Sequence, residues 1–206
     1  MPDPLVSRSA LAEIYRQGTF GVAGDAAGVV LSERPPQAIL QLASWPGAVT
    51  AVRACVRDAL TLDLPDTPNT VASTPDATAL WLGPERWLIV APGDVRTQLV
   101  TALRKVVTPD IAALAELSDA RTVIRLAGPR ARDLLAKGCE LDLHPRSFAA
   151  GRCAQTVVAH VATLIHLVDP SPAFDLYIPR SYATTFWEWL VESASEYGVR
   201  VEHPVG

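Results

Sequence analysis

Residues 122–156, TVIRLAGPRARDLLAKGCELDLHPRSFAAGRCAQT, constrain this chain more than any other stretch. Thr122–Leu126 alternates like a strand. Gly128-Pro129 then makes a tight turn into a helix that runs to Lys137, where Gly138 supplies a stop. Asp142-Leu143-His144-Pro145 forms an exit, and Gly151 leads into another strand. A looser copy of the same order lies upstream at residues 39–65. Ile39–Ser44 reads as a strand, and Pro46 sits near the first turn of a helix, where its missing N–H does no harm. That helix would turn Val49, Val52, Val56, Ala59 and Leu60 inward. Two βα units in one order predict a duplicated body.

The intervening segments extend both copies. In the first, Thr70–Ser73 and Thr78–Leu82 read as short strands, and Gly83–Arg86 turns into a strand over Trp87–Ala91. Asp94 is placed to cap a helix to about Val107 with Leu99, Ala102, Leu103 and Val106 inward. Ile111–Leu117 would close the unit. In the second, Gln155–Val168 suffices for a hairpin, and Phe174–Ile178 is a strand. Ser181 is placed to cap a helix showing Tyr182, Phe186, Trp189, Leu190, Ala194 and Tyr197 on one side. Gly198 ends it before a last strand at Val199–His203. Thr61–Pro65 answers Glu140–Pro145, and Trp87–Asp94 answers Phe174–Ser181. The second copy is eight residues longer between these landmarks, a surplus assigned to the loop Ser147–Arg152. The expectation is an α+β fold of two tightly joined, split β-α-β lobes with antiparallel sheets, residues 20–118 and 119–206. Residues 1–19 form an arm, with Leu5, Ala10, Leu11 and Ile14 along one side of a short helix capped by Ser7 or Ser9. Residues 18–28, GTFGVAGDAAG, lack the G-x-G-x-x-G spacing and a following helix, so a Gly-rich hairpin is expected in place of a dinucleotide site.

Composition limits the function classes. Apolar residues make up 49% and charged residues 19%, below the roughly 25% usual for soluble domains. Apolar surface left over would suit a partner subunit. The net charge of −4, with no long run of one sign, argues against nucleic acid, which needs a basic stripe. Arg outnumbers Lys by 16 to 2, which fits interface ion pairs and equally fits codon bias. Cys55, Cys139 and Cys153 have no CxxC spacing, so neither a zinc cluster nor a disulfide framework is expected, and a reducing cytoplasm is. Residues 1–13 lack a signal-peptide pattern. The charge-free stretches 35–52 and 154–168 are Pro-broken or too short to span a bilayer, so no membrane partner is expected.

Candidate chemistry is sparse. His160 and His166 sit six apart, but a hairpin would separate them and no ligand set surrounds them. His144 belongs to a turn, and His203 is near the C-terminus. Cys139 lies at a helix C-terminus, the wrong end to lower a thiol pKa, and Cys153 reads as core. Ser9 and Ser181 read as caps, not nucleophiles. No catalytic, cofactor-binding or metal-binding residue is expected. The candidate site residues are therefore interface anchors: Trp187, one of two tryptophans flanking Glu188; Trp45, beside Pro46; and Arg121 and Arg180 at element edges. Trp187 and Trp45 fit a satellite core cluster equally well.

Residues 117–190 also resemble a known family. LSDARTVIRLAGPRARDLLAKGCELDLHP, FAAGRCAQT and FDLYIPRSYATTFWEWL carry the resemblance, joined by LSERPP at 31–36 and SWPG at 44–47. The family is the gamma subunits of bacterial heterotetrameric sarcosine oxidase. More distantly, the G-P-x-A-R-x-L-L, D-L and F-x-x-G-x-x-x-Q-T run is similar to the glycine cleavage aminomethyltransferase and its folate-binding relatives. The resemblance implies their fold and a place in a complex with alpha, beta and delta subunits, chiefly against alpha. That complex oxidatively demethylates sarcosine to glycine, yielding hydrogen peroxide and either formaldehyde or 5,10-methylenetetrahydrofolate. FAD, FMN, NAD, tetrahydrofolate and zinc are implied on the other chains and none on this one. Folate-binding relatives place an acidic residue behind a Gly pair in the hairpin after the Q-T strand. Here VVAHVATLIHLVD has neither between Val157 and Val168. The reading is a non-catalytic cytoplasmic subunit. The alternatives are a free-standing folate-dependent aminomethyl or one-carbon transfer protein, and a regulatory module of another flavoprotein amine dehydrogenase.

Overall fold

Strands buried on both faces dictate the architecture. In Arg86–Pro92 every residue between the two ends is buried. Side chains alternate along a strand, so Trp87, Ile89 and Ala91 face one core while Leu88 and Val90 face another. Ala173–Pro179 is buried likewise, with Phe174, Leu176 and Ile178 on one side and Tyr177 on the other. A sheet of such strands needs a layer on each face.

The computed structural model describes residues 8–21 and 27–204. The elements are β1 Gly18–Phe20, β2 Val29–Glu33, β3 Gln37–Ser44, α1 Val49–Leu60, β4 Val71–Ser73, β5 Thr78–Gly83, β6 Arg86–Pro92, α2 Arg96–Val106, β7 Ala112–Glu116, β8 Arg121–Ala127, α3 Ala131–Ala136, β9 Cys153–Val158, β10 Val161–Asp169, β11 Ala173–Pro179, α4 Ala183–Ala194 and β12 Val199–Val201. One antiparallel sheet runs β4-β5-β6-β3-β7, the other β1-β12-β2-β8-β11-β10-β9. The α1 and α2 stripes, Val52 and Val56 with Leu99, Val100 and Leu103, pack on the first sheet. Leu134 and Leu135 of α3 and Phe186, Trp187 and Leu190 of α4 pack on the second. The remaining faces meet: Ile39, Leu80, Leu88 and Val90 against Val123, Cys153, Leu164 and Tyr177. The layers are helix, sheet, sheet, helix.

The duplication is visible element by element. Each unit runs strand, helix, three strands, helix, strand, with sheet neighbours in the same order from β4 to β3 and from β9 to β8. Both β6 and β11 end in proline, and a 3-10 turn then leads into the helix, at Gly93–Val95 and Arg180–Tyr182. This shared entry replaces the caps expected of Asp94 and Ser181, since neither helix has a side-chain cap bond. The extra residues of the second unit go partly into a longer hairpin: β9 and β10 have 6 and 9 residues, β4 and β5 only 3 and 6.

The first lobe is shorter than the 20–118 span. β2 joins the second sheet, antiparallel to β8 and parallel to β12, where β7 stands beside β3 in the other unit. Without β2 the edge of β8 would be open, because β12 lies one strand further out. The arm lies on its own chain. The Ser9 hydroxyl accepts from the Leu11 amide at 2.9 Å and donates to Glu33 at 2.5 Å, and Leu11 is fully buried. Tyr15 packs on Trp187 with ring centroids 4.9 Å apart in a tilted arrangement, and its hydroxyl donates to the Glu202 carbonyl and accepts from the Glu33 amide. Leu5, Ser7 and residues 22–26 of the Gly-rich segment fall outside the described residues, and the segment does not form the expected hairpin, because β12 lies between β1 and β2.

This arm also corrects the reading of Trp187 as an interface anchor. The α4 stripe is Ala183, Phe186, Trp187, Leu190 and Ala194, and Trp187 is 3% exposed beneath Tyr15. Trp189, expected inside, is half-buried. Gly138 is required by a close approach: a Cβ there would stand 2.6 Å from the Trp189 ring. Trp187→Ala is expected to lower stability in urea unfolding by about 3–5 kcal/mol, the cost of emptying an aromatic core site. Trp45→Ala, at a residue 44% exposed, should cost no more than about 1 kcal/mol.

Candidate functional site

Strand register builds a polar row on the inner face of the second sheet. Arg125 of β8 stands opposite Asp175 of β11, and Asp175 opposite His166 of β10. Ser32 of β2 flanks the row beyond Arg125, and Cys153 of β9 beyond His166. These side chains share the face that carries Val123, Tyr177 and Leu164 between the sheets. Charges here must be paired. Arg125 Nε and Nη2 donate to the two oxygens of Asp175 at 2.5 and 2.9 Å, a planar fork that leaves the carboxylate buried.

Burial sets the protonation of the neighbours. His166 is 8% exposed, and its pKa is pushed down to about 4 by desolvation; Asp175 pulls against this and Arg125 adds to it. The imidazole is neutral at neutral pH. Burial raises the Cys153 thiol to about 11 and raises Tyr177 as well. The Cys153 thiol donates to the carbonyls of Thr70 and Trp81 at 3.4 and 3.5 Å, so it is a tethered core group without thiolate character.

The row ends in a cleft of about 800 Å³ between the lobes. Its other walls are the β2–β3 connection with Arg34, the first residue of β3, Gln37, the β4–β5 hairpin with Asp76, and the turn at Gly93-Asp94. Among the described residues no three His, Cys, Asp or Glu side chains converge on a common point. The cleft offers hydrogen bonds and charge, and the thiol and phenol beside it hold their protons tightly.

The expected interface residues lie elsewhere. Arg121 begins β8 opposite Pro179 of β11, and the next residue, Arg180, donates its amide to the Ala120 carbonyl at 2.9 Å. The two arginines thus come together at one end of the second sheet. Arg121 is half-buried, desolvation lowers its pKa, and it has no ion-pair partner among the described residues. The exposed Arg180 side chain donates to the Arg8 carbonyl. Trp45 stands apart, beyond the far end of β7, where its indole N–H donates to the Pro109 carbonyl at 2.8 Å. His160 occupies the β9–β10 turn with φ +65°, and His144 Nδ1 accepts from the Arg146 amide at 3.2 Å. Sequence reasoning passed over Arg125 and Asp175. Their signal was available: opposite charges, each isolated inside an apolar strand run, TVIRLA and FDLYI.

The fold defines the class first. The chain aligns with the aminomethyltransferase T of the Bartonella henselae glycine cleavage system at TM-score 0.61 and 16% identity, over 86% of this chain and 48% of that one. The two share a two-lobed α+β fold. A nearer likeness is a chain of the heterotetrameric sarcosine oxidase from Corynebacterium sp. U-96, at TM-score 0.80 and 28% identity, over 93% of this chain and 96% of that one. The sarcosine oxidase subunit gamma of an Arthrobacter species is 32% identical over 91% of this chain and 88% of its own length. Residues 46–196 match the family described as "Sarcosine oxidase, gamma subunit family". The chain belongs to that family. No helix among the described residues is long and apolar enough to cross a membrane.

The buried histidine makes a pH prediction. Its folded pKa of about 4 lies below its ordinary 6.5, so between these values the unfolded state binds more protons and stability falls as pH falls. The slope from this group is at most about 1.4 kcal/mol per pH unit. Urea unfolding from pH 7 to 4 should give a flatter pH dependence for His166→Leu than for the parent. Equal slopes would contradict the assignment.

Proposed function

We propose that this chain is the non-catalytic gamma subunit of a heterotetrameric sarcosine oxidase. The likeness that carries the reading is the nearly full mutual coverage with a chain of the Corynebacterium complex. On this reading the complex oxidatively demethylates sarcosine to glycine, with hydrogen peroxide and either formaldehyde or 5,10-methylenetetrahydrofolate as products. FAD, FMN, NAD, tetrahydrofolate and zinc are held by the other subunits. The gamma chain contributes a stiff, double-sheet body that braces its neighbours, chiefly alpha. Its contact residues are Arg121 and Arg180 at one end of the second sheet and Trp45 at the far end of β7. Arg121 is suited to this because a half-buried guanidinium without an internal ion pair gains most from a carboxylate supplied by a partner.

The alternative of a free-standing folate-dependent transfer protein is weaker. The hairpin that would carry its acid is a two-residue turn, Ala159-His160, with both φ values positive and no carboxylate. Tagged chain co-expressed with candidate alpha, beta and delta subunits should capture a flavin-coloured complex. The isolated chain should neither bind tetrahydrofolate nor turn over sarcosine; either activity would overturn the proposal. Replacing Arg121 and Arg180 together by Ala should weaken capture about thirty-fold, the loss of a strong interface contact of ~2 kcal/mol.

A further inference from the structure

The cleft between the lobes contains a demand that the chain itself does not meet. His166 Nδ1 and Gln37 Oε1 are buried atoms without a hydrogen-bond partner, and both residues line it. Buried polar atoms in folded proteins are nearly always satisfied, and one that is not calls for a ligand, an ion or a water. Two such atoms in one concavity of about 800 Å³, inside the usual range for small-molecule sites, point to a bound molecule.

The chemistry of the walls narrows its class. Gln37 Oε1 only accepts, so the ligand must bring an N–H or O–H. The neutral His166 imidazole donates from Nδ1 in one of its tautomers, and the other nitrogen is then the acceptor. Arg34 lines the same wall as Gln37. It is engaged within the chain, but a guanidinium has five donors and can serve an additional acceptor. Arg125 is committed to Asp175, so that pair contributes no net charge. At the rim stand two exposed carboxylates, Asp76 and Asp94. Donors for an anion lie within, and acceptors for a cation lie at Gln37 and at the rim. A phosphate ester would meet the rim charges with repulsion. A molecule with one carboxylate and one protonated amine has no net charge for the rim to repel, and its amine can face the acceptors. Val90 and Tyr177 supply apolar wall for a side chain.

We propose that the inter-lobe cleft binds a small α-amino acid, its carboxylate held by Arg34 and His166 Nδ1–H and its ammonium donating to Gln37 Oε1. The site is independent of the subunit assignment, because every residue it uses belongs to this chain.

Hydrogen exchange of the full chain, alone and in its complex, tests this, because peptides of this chain are read separately from those of any partner. The probes are glycine and valine, with acetate and methylammonium as controls. At about ten times its Kd, a ligand bound only to the closed cleft should slow exchange of the segments around residues 34–37 and 163–168 about tenfold. Neither control should reproduce this. Gln37→Ala, at a half-buried position, should abolish the protection with the melting temperature unchanged, and His166→Asn should weaken it. No protection by either amino acid up to the solubility limit would overturn the proposal. So would full protection by acetate alone, or protection that persists in Gln37→Ala.

Discussion

The contact between the two sheets is the constraint on which the rest of this structure depends. Ile39, Leu80, Leu88 and Val90 from one lobe lie against Val123, Cys153, Leu164 and Tyr177 from the other. Burying such side chains stabilises each by about 1.5–3 kcal/mol. Once the inner faces are committed to each other, the helices have only the outer faces to cover. The αβ units therefore stack back to back and cannot separate without exposing a continuous apolar layer. The same geometry fixes the electrostatics. Arg125 and Asp175 can pair inside this layer only because β8 and β11 are direct neighbours, and removing one partner would strand the other charge in low dielectric.

From that layer follow the properties of the cleft. His166 is neutral because the layer buries it, and burial likewise makes the Cys153 thiol hold its proton. A body built this way holds its edges around one shared apolar layer. The arm folds back onto it: Tyr15, through Trp187, Glu33 and Glu202, ties β2, α4 and the C-terminal strand region together, and β2 completes the second sheet.

Much of the architecture was legible in the residues. The proline that ends β6 and β11, with the apolar strand before it and an amphipathic helix after it, carried the repeat across low identity. Those signals are local. What escaped was tertiary. Val29–Glu33 reads as a strand in either lobe, and only pairing with β8 assigns it to the second. Trp189 was placed on the helical stripe and Trp187 beside it, but the stripe runs through Trp187, which the arm covers with Tyr15. The caps expected of Asp94 and Ser181 failed because a 3-10 turn takes over the helix entry. Arg125 and Asp175 were each visible as an odd charge in an apolar strand, but their partnership required the strand order.

If the inter-sheet layer joins the lobes into one body, they must unfold together. Native-state hydrogen exchange in increasing denaturant, resolved for β3 and β6 of the first sheet and β8 and β11 of the second, measures this directly. The slowest amides of both sheets should converge on one global opening free energy. Separate values, with one sheet opening while the other stays protected, would contradict it.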